Sequence, residues 1–326
     1  MMKYVSLPDN QNHPLPFYLT MEEWLARNFT DDFFFTWQVD PTVICGRNQI
    51  VDLEVDIDYC RNNDISICRR KSGGGCVFAD RKNIMFSYIT TSASVMTEFS
   101  AYTSMIASML RNIGLDASAS TRNDVLIGDR KVSGNAFYHI PEKSRAIVHG
   151  TMLYDIDSEK MNRAITPSRA KLESKGVKSV ASRITTISEH SSIGLEEFKD
   201  FARKSLCGDS EMTLSAGDVE QIYQLARELM SDKWVFRKTS GQALVRTGRI
   251  DGSGEFRAEI ELDSGKISSI NLSGDYFPLA DIDTSLLDSL KNTPYNAGEI
   301  ERALTDIDIS KIISGITNEE FITLII

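Results

Sequence analysis

The 326-residue chain reads as an α/β (α+β) protein, with a mixed or antiparallel sheet in its first part and a small α+β unit at its end. Three observations carry this reading. Strand-like runs follow one another without helices between them, as in "ISICRR" (65–70), "CVFA" (76–79) and "NIMFSYIT" (83–90), which argues against a doubly wound parallel sheet. Longer segments with apolar residues at helical spacing are interspersed among them. After residue 240 the texture changes to three short alternating strands followed by helical runs.

Taken in order, "FYLTMEEWLARNF" (17–29) has the period of an amphipathic helix. "FFFTWQV" (33–39) and "TVICG" (42–46) read as strands, and Asp40-Pro41 between them suggests a hairpin. "EFSAYTSMIASMLRNI" (98–113) is helical and closed by Gly114, a C-terminal cap. Strands follow at "DVLIG" (124–128), "KVSGNAFYHI" (131–140) and "RAIVHGTMLYD" (145–155), then helices at 195–206 and 216–230. The strands at 242–250, 255–262 and 266–274 are joined by Asp251-Gly252 and Ser264-Gly265 turns. We divide the chain into a domain of residues 1–240 and a smaller one of 241–326.

Hydrophobic residues make up 41% and charged residues 25%, ordinary for a chain that buries a core. The net charge of −10 argues against bulk affinity for nucleic acid or anionic membranes. Basic residues nevertheless cluster locally, at Arg69, Arg70 and Lys71, at Arg130 and Lys131, and at Lys171, Lys175 and Lys178. Clusters beside glycines in an acidic protein point to a particular anionic ligand. Five dispersed cysteines without a CxxC indicate neither a disulfide framework nor a zinc ribbon. The first residues lack the apolar core of a signal peptide, and no run approaches a membrane span, so a cytoplasmic setting is expected.

"RRKSGGGCVF" (69–78) places three adjacent glycines after three cations. One reading is a glycine-rich hairpin. The other is a loop whose backbone N–H groups face an anionic ligand, with arginine adding a charge-assisted hydrogen bond. It is neither a P-loop nor a Rossmann turn. In "RNDVLIGDRKVSGNAF" (122–137), Asn123 and Asp124 begin a strand and Lys131 enters another. Alternation puts Lys131 and Ser133 on one side and Val132 and Gly134 on the other. Lys131 is a solvated strand lysine on the simplest view. Beside small residues it can instead approach two anionic groups and offset their repulsion, and Asp124 can add Mg2+, which favours carboxylate and phosphate oxygens. His149 lies in "AIVHGTMLYD" and can be structural or functional. "PSRAKLESKGVKSVASRI" (167–184) is lysine- and serine-rich, a solvated loop or a flap that closes over a phosphate-bearing intermediate.

Together, "RRKSGGGCVF", "RNDVLIGDRKVSGNAF", "HGTMLYD" and "KLESKGVKSVASRITTI" resemble, in order and spacing, the motifs of lipoate-protein ligases. "FYLTMEEWLAR", with Glu22 and Glu23, resembles that family's first helix, and 241–326, with "GDYF" at 274–277, resembles its C-terminal accessory domain. The resemblance implies a biotin-ligase-like catalytic domain related to the class II aminoacyl-tRNA synthetase architecture. It implies lipoate activation by ATP to lipoyl-AMP, then transfer to a lysine of an apo carrier domain, either a 2-oxoacid dehydrogenase E2 subunit or the glycine-cleavage H protein. It assigns Arg70, Ser72, Gly73, Gly74, Gly75 and His149 to lipoate. Val77, Phe78, Asn123, Asp124, Lys131, Lys171, Lys178 and Ser179 are assigned to ATP or the adenylate, Lys131 also to catalysis and Asp124 to Mg2+. The chain differs from residues common in the family at Cys76, Ala79, Tyr18 and Ala181. The alternatives are an ATP-independent octanoyl or lipoyl acyltransferase, which needs a cysteine nucleophile although residues 77–206 contain none, and a noncatalytic lipoate-binding module.

Residues 168–183 carry too little apolar mass to pack alone, and closing them costs about 1–2 kcal/mol per residue. Lipoyl-AMP is therefore expected to slow hydrogen exchange over 168–183, whereas lipoate alone protects mainly 70–78. Equal protection of both by lipoate would rule this out.

Overall fold

The structure, a computed structural model, describes residues 2–9, 11–91, 95–120, 123–165, 183–236, 243–263 and 265–326. The chain forms two compact units. One comprises residues 1–44, 52–70 and 77–235, and the other residues 45–51, 71–76 and 236–326.

The first unit carries strands β1 (Lys3–Ser6), β2 (Phe33–Trp37), β3 (Thr42–Cys45, whose last residue belongs to the second unit), β4 (Ser66–Arg69), β5 (Val77–Ala79), β6 (Ile84–Thr91), β7 (Ala117–Ala119), β8 (Asp124–Ile127), β9 (Arg130–Ile140), β10 (Arg145–Met152) and β11 (Glu211–Thr213). Eight of them form one sheet in the order β11-β1-β2-β6-β10-β9-β8-β7. β1 runs parallel to both of its neighbours, and the pairs from β2 onward are antiparallel, so the sheet is mixed, as the strand-after-strand pattern implies.

Helices cover both faces. Leu15–Asn28 starts with Pro16 in its first turn, where a missing N–H costs nothing, and packs on β6 and β10. Its buried side chains include Phe17, Tyr18, Met21, Glu22 and Leu25. Val95–Arg111 lies on the opposite face, where Phe99 meets Phe137 and Tyr102 stacks on Tyr88. It ends before Gly114, whose φ of +81° completes the expected cap. Leu195–Cys207 shares that face through Phe198 and Phe86.

The expected hairpin at Asp40-Pro41 is absent, and of the two readings of the glycine run the hairpin is not the one that forms. β2 and β3 do not pair across Asp40-Pro41, because β2 joins the large sheet while β3 lies at the centre of a small sheet ordered β4-β3-β5. For the same reason the glycine run does not close a hairpin: β4 and β5, the strands it connects, flank β3 and do not pair with each other. Alternation within a strand says nothing about which sheet it enters.

The second unit contains an antiparallel sheet of β12 (Leu244–Ile250), β13 (Gly254–Asp263) and β14 (Lys266–Gly274), with short helices and the helix Asn318–Ile325 around a core that includes Phe256, Ile260, Tyr276, Leu290 and Phe321. Residues 45–51 and 71–76 belong to it. Gly274 N–H donates to Asn48 O (2.7 Å), Arg47 N–H to Ser72 O (2.9 Å) and Gly74 N–H to Tyr276 O (3.2 Å). Gly74 adopts φ +85°, which favours glycine. At Gly73 the requirement is space, since a Cβ would lie 2.6 Å from both Pro278 Cδ and Tyr276 O. The groups that crowd Gly73 belong to the chain itself, the Pro278 ring and the Tyr276 carbonyl.

Gly73→Ala is therefore expected to lower unfolding stability by about 1–3 kcal/mol through overpacking. Gly217→Ala, whose Cβ meets only Ser215 Oγ at 3.7 Å, should be neutral or stabilising by up to about 1 kcal/mol. Urea titration compares them, and equal effects would contradict the crowding at Gly73.

Candidate functional site

The register of β8, β9 and β10 decides which side chains meet. Directly opposed residues share a face of the sheet. Gly134 opposes both Asp124 and Thr151, and Ala136 opposes His149, so these residues lie on one face. Alternation alone would send Lys131 to the other face, with Ser133. The pairing shifts, however: Val125 opposes Ser133 while Leu126 opposes Lys131, leaving Val132 as an extra residue. This β-bulge re-aims the strand. Lys131 extends over Gly134 to Asp124, with Nζ 2.8 Å from Oδ1. The expected grouping of Lys131 with Ser133 is thus incorrect, because one unpaired residue inverts the alternation.

Gly134 makes this path possible, since a Cβ there would lie 2.5 Å from Lys131 Cε. The Asp124 carboxylate is almost wholly buried, at 3% exposure, and also binds Arg183 Nη2 through Oδ2. Two cations thus converge on one buried carboxylate. The backbone of Lys131 is fixed as well: its carbonyl accepts from Thr185 N–H (2.8 Å), and Arg130 beside it pairs with Glu189 (3.0 Å).

The opposite face braces the same strands. Asn135 N–H and Nδ2 both donate to Asn123 O at 3.0 Å, and Asn123 Nδ2 donates to Asn135 O at 2.9 Å. Asn135 occupies the room left by Gly150, where a Cβ would lie 2.8 Å from its Cγ. Asn123 and Asp124, adjacent in sequence, therefore serve differently: the first locks backbones together and the second presents a charge.

On the Lys131 face, His149 Nδ1 lies 2.8 Å from Glu22 Oε2. Ser87 Oγ donates to Glu22 Oε1 and accepts from Trp37 Nε1 (2.8 Å). Glu22 is fully buried and ties the first helix to three strands. Tyr18 stacks on Trp37 with ring centroids 4.7 Å apart, and Tyr138 lies 6.2 Å from the His149 ring. Burial, reinforced by Glu22 and Glu23, pushes the Tyr138 phenol well above its ordinary pKa, so it remains neutral. This face thus carries an aromatic wall, a histidine fixed by a carboxylate, and a cationic cluster.

The remaining positions divide. Arg69 is buried and donates to Val235 O (2.9 and 2.7 Å) and Trp234 O (3.1 Å), while Trp234 Nε1 donates back to Arg69 O (2.9 Å). Arg70 is buried, with Nη1 donating to Ile44 O (3.0 Å). Phe78 is buried and Val77 half-buried on β5. Ser72, Gly73, Gly74 and Gly75 belong to the second unit. Lys171, Lys178 and Ser179 lie outside the described residues. Burial pushes the Cys207 thiol up to about 12, which keeps it protonated.

Residues 15–207 match the lipoyl protein ligase A/B catalytic domain, and residues 243–325 match the bacterial lipoate protein ligase C-terminus. The chain belongs to the lipoate-protein ligase family. It is 30% identical over 333 aligned positions to lipoate-protein ligase 1 of Staphylococcus aureus, covering 99% of each chain. The fold is similar to that of LipL1 from P. falciparum in complex with lipoate, with TM-score 0.76, 21% identity and coverage of 99% of this chain and 97% of that one. It is also similar to a lipoate-protein ligase A bound with ATP, with TM-score 0.62, 21% identity and coverage of 72% and 99%.

In this ligase-family chain, sequence reasoning singled out Lys131, Asp124 and His149 but gave no role to Glu22, Ser87, Trp37, Asn135 or Arg183. Polar residues inside otherwise apolar strands were the available signal for Ser87 and Asn135. Nothing local marks Arg183 as the partner of a carboxylate 59 residues earlier.

Adjacent glutamates offer a contrast. Glu22→Ala removes the acceptor used by both Ser87 and His149 and is expected to cost at least about 2 kcal/mol. Glu23→Ala loses a surface pair with Arg27 (2.7 Å) and should cost no more than about 1 kcal/mol. Thermal unfolding of the two variants checks this, and similar losses would contradict the buried role of Glu22.

Proposed function

We propose that the protein is an ATP-dependent lipoate-protein ligase. It activates lipoate to lipoyl-AMP and transfers the lipoyl group to a lysine of an apo carrier domain, a 2-oxoacid dehydrogenase E2 subunit or the glycine-cleavage H protein. The observation that carries the reading is the bulge that sets Lys131, on Asp124, on the same sheet face as His149, within a chain of this family.

A carboxylate oxygen of lipoate attacks the α-phosphorus of ATP and pyrophosphate leaves. The carrier lysine's amine then attacks the acyl carbon, and AMP departs. In the first step two anions come together, and in the second negative charge grows on the acyl oxygen. A fixed ammonium lowers the barrier to both, because it is oriented before the reaction begins. Lys131 supplies it, half-buried and held by a carboxylate and a bulge. No side-chain nucleophile is needed, unlike the acyltransferase alternative. Arg70, Ser72, Gly73, Gly74, Gly75 and His149 are assigned to lipoate; Val77, Phe78, Asn123, Asp124, Lys171, Lys178 and Ser179 are assigned to ATP and the adenylate.

No group of three His, Cys, Asp or Glu side chains placed to hold a metal occurs among the described residues. Mg2+ bound mainly by nucleotide phosphates needs only one or two protein carboxylates, and the buried Asp124 fits as one. Bound there, the ion would neutralise phosphate charge. No described helix is long and apolar enough to cross a membrane, and a cytoplasmic setting supplies the ATP consumed.

Lys131→Ala is expected to reduce lipoate-dependent ATP–pyrophosphate exchange at least about 100-fold, as loss of a preorganised donor does, with circular dichroism unchanged. Near wild-type exchange would remove Lys131 from the mechanism. For the whole reaction, mass spectrometry should show one lipoyl group on an apo carrier domain only when enzyme, lipoate and ATP with magnesium are all present. Acyl transfer from an octanoylated carrier without ATP would instead establish the acyltransferase alternative.

A further inference from the structure

We infer that Arg183 is a positioning residue that keeps Lys131 available to anionic ligands, an inference that deepens the ligase reading. A single carboxylate 2.8 Å from an ammonium neutralises most of its field. Here the carboxylate is shared, with Lys131 on Oδ1 and Arg183 on Oδ2. Two cations on one buried anion leave this triad with net positive charge, which a phosphate or carboxylate can use. The arrangement is fixed through the backbone. Ile184 bridges to Lys131, Thr185 N–H donates to Lys131 O, and Arg130 Nη1 reaches Ile184 O at 3.5 Å. The residues just after Arg183 are therefore bound to the strand that carries Lys131, so guanidinium and ammonium address the same carboxylate from set positions. Sequence spacing gave this arginine no role, and Ala181 nearby cannot replace its charge.

The test uses Arg183→Gln and Arg183→Lys. In Arg183→Gln, kcat for lipoate-dependent ATP–pyrophosphate exchange should fall about 100-fold, while KM for lipoate stays within about threefold because the acyl end is held elsewhere. Arg183→Lys should recover most of the loss, which a purely structural arginine with its specific fork would not allow. Binding of inorganic pyrophosphate, measured by calorimetry without lipoate, should weaken about tenfold in Arg183→Gln and recover in Arg183→Lys. If wild-type protein catalyses no exchange but pyrophosphate binding follows this order, the ligase reading fails and the role of Arg183 stands. Unchanged pyrophosphate binding in Arg183→Gln overturns that role whatever the catalysis shows.

A separate observation carries a second proposal: the geometry points to Cys45 and Cys76 as an oxidisable pair. Both belong to the second unit. The β3–β5 register pairs Ile44 with Val77, which sets Cys45 opposite Cys76, and their Sγ atoms are 3.4 Å apart. Cross-strand Cα spacings of about 4.5–5.5 Å lie within the range a disulfide spans. Cys76 is half-buried and open to a small oxidant, whereas Cys45 is buried. A hydroperoxide oxidises the Cys76 thiol to a sulfenic acid and is itself reduced, for hydrogen peroxide to water. Cys45 Sγ then attacks that sulfur, an Sγ–Sγ bond forms, and a second water leaves. The bond would tie the exit of the glycine run to the end of β3. After hydrogen peroxide treatment, alkylation and non-reducing peptide mapping should recover a Cys45–Cys76 linked peptide, absent in Cys76→Ser, with Cys60, Cys68 and Cys207 alkylated after denaturation. Recovery of Cys76 as sulfinic acid with Cys45 still alkylated, or linked to another cysteine, overturns the proposal.

Discussion

One extra residue in a strand governs the candidate site. Val132 has no partner on β8, and its insertion turns Lys131 from the face of Ser133 to that of Gly134 and His149. Everything around it accommodates that turn. Gly134 clears the path of the side chain, Asp124 receives the ammonium, and Thr185 holds the carbonyl that the bulge displaces. The amide pair of Asn123 and Asn135 locks the register from the other side. A lysine has four rotatable bonds and loses considerable freedom when fixed. Here the sheet's pairing takes up much of that cost during folding, before any ligand arrives.

Glu22 performs the corresponding task for the first helix. A fully buried carboxylate is tolerated only with its oxygens engaged, and Glu22 gives one to Ser87 and the other to His149. Helix position and histidine orientation are therefore set by the same group. Tyr18, one turn earlier, stacks on Trp37, whose indole N–H completes the chain through Ser87. Apolar packing and a satisfied polar network thus fix the same helix in a single register.

Much of the fold was legible because it is written in local periodicity. The long helices, the three strands of the small unit and the cap at Gly114 follow from spacing and turn residues alone. The destination of a strand was not. "TVICG" has the composition of any buried strand, and its place between β4 and β5 depends on partners distant in sequence. The site divides in the same way. Lys131, Asp124 and His149 stood out as chemically apt residues in recognisable motifs. The face on which Lys131 emerges did not, since "KVSGN" reads as perfect alternation and a bulge leaves no mark in residue type. The reason for Gly73 was equally hidden, since what crowds it is a carbonyl and a proline about 200 residues later.

That crowding bears on how such a chain could be assembled or divided in evolution. Residues 45–51 and 71–76 belong with the C-terminal unit, although the chain on either side of each belongs with the other. The backbone contacts of Gly274 with Asn48 and of Tyr276 with Gly74 make residues 274–276 the floor on which the glycine run rests. The C-terminal unit is consequently not an interchangeable cassette. A gene that exchanged everything after residue 236 for an unrelated domain would keep the glycines and lose the surface that shapes them. Inheritance of the two segments is thereby coupled, so a change at Pro278, whose ring crowds Gly73, bears on that glycine despite the intervening sequence.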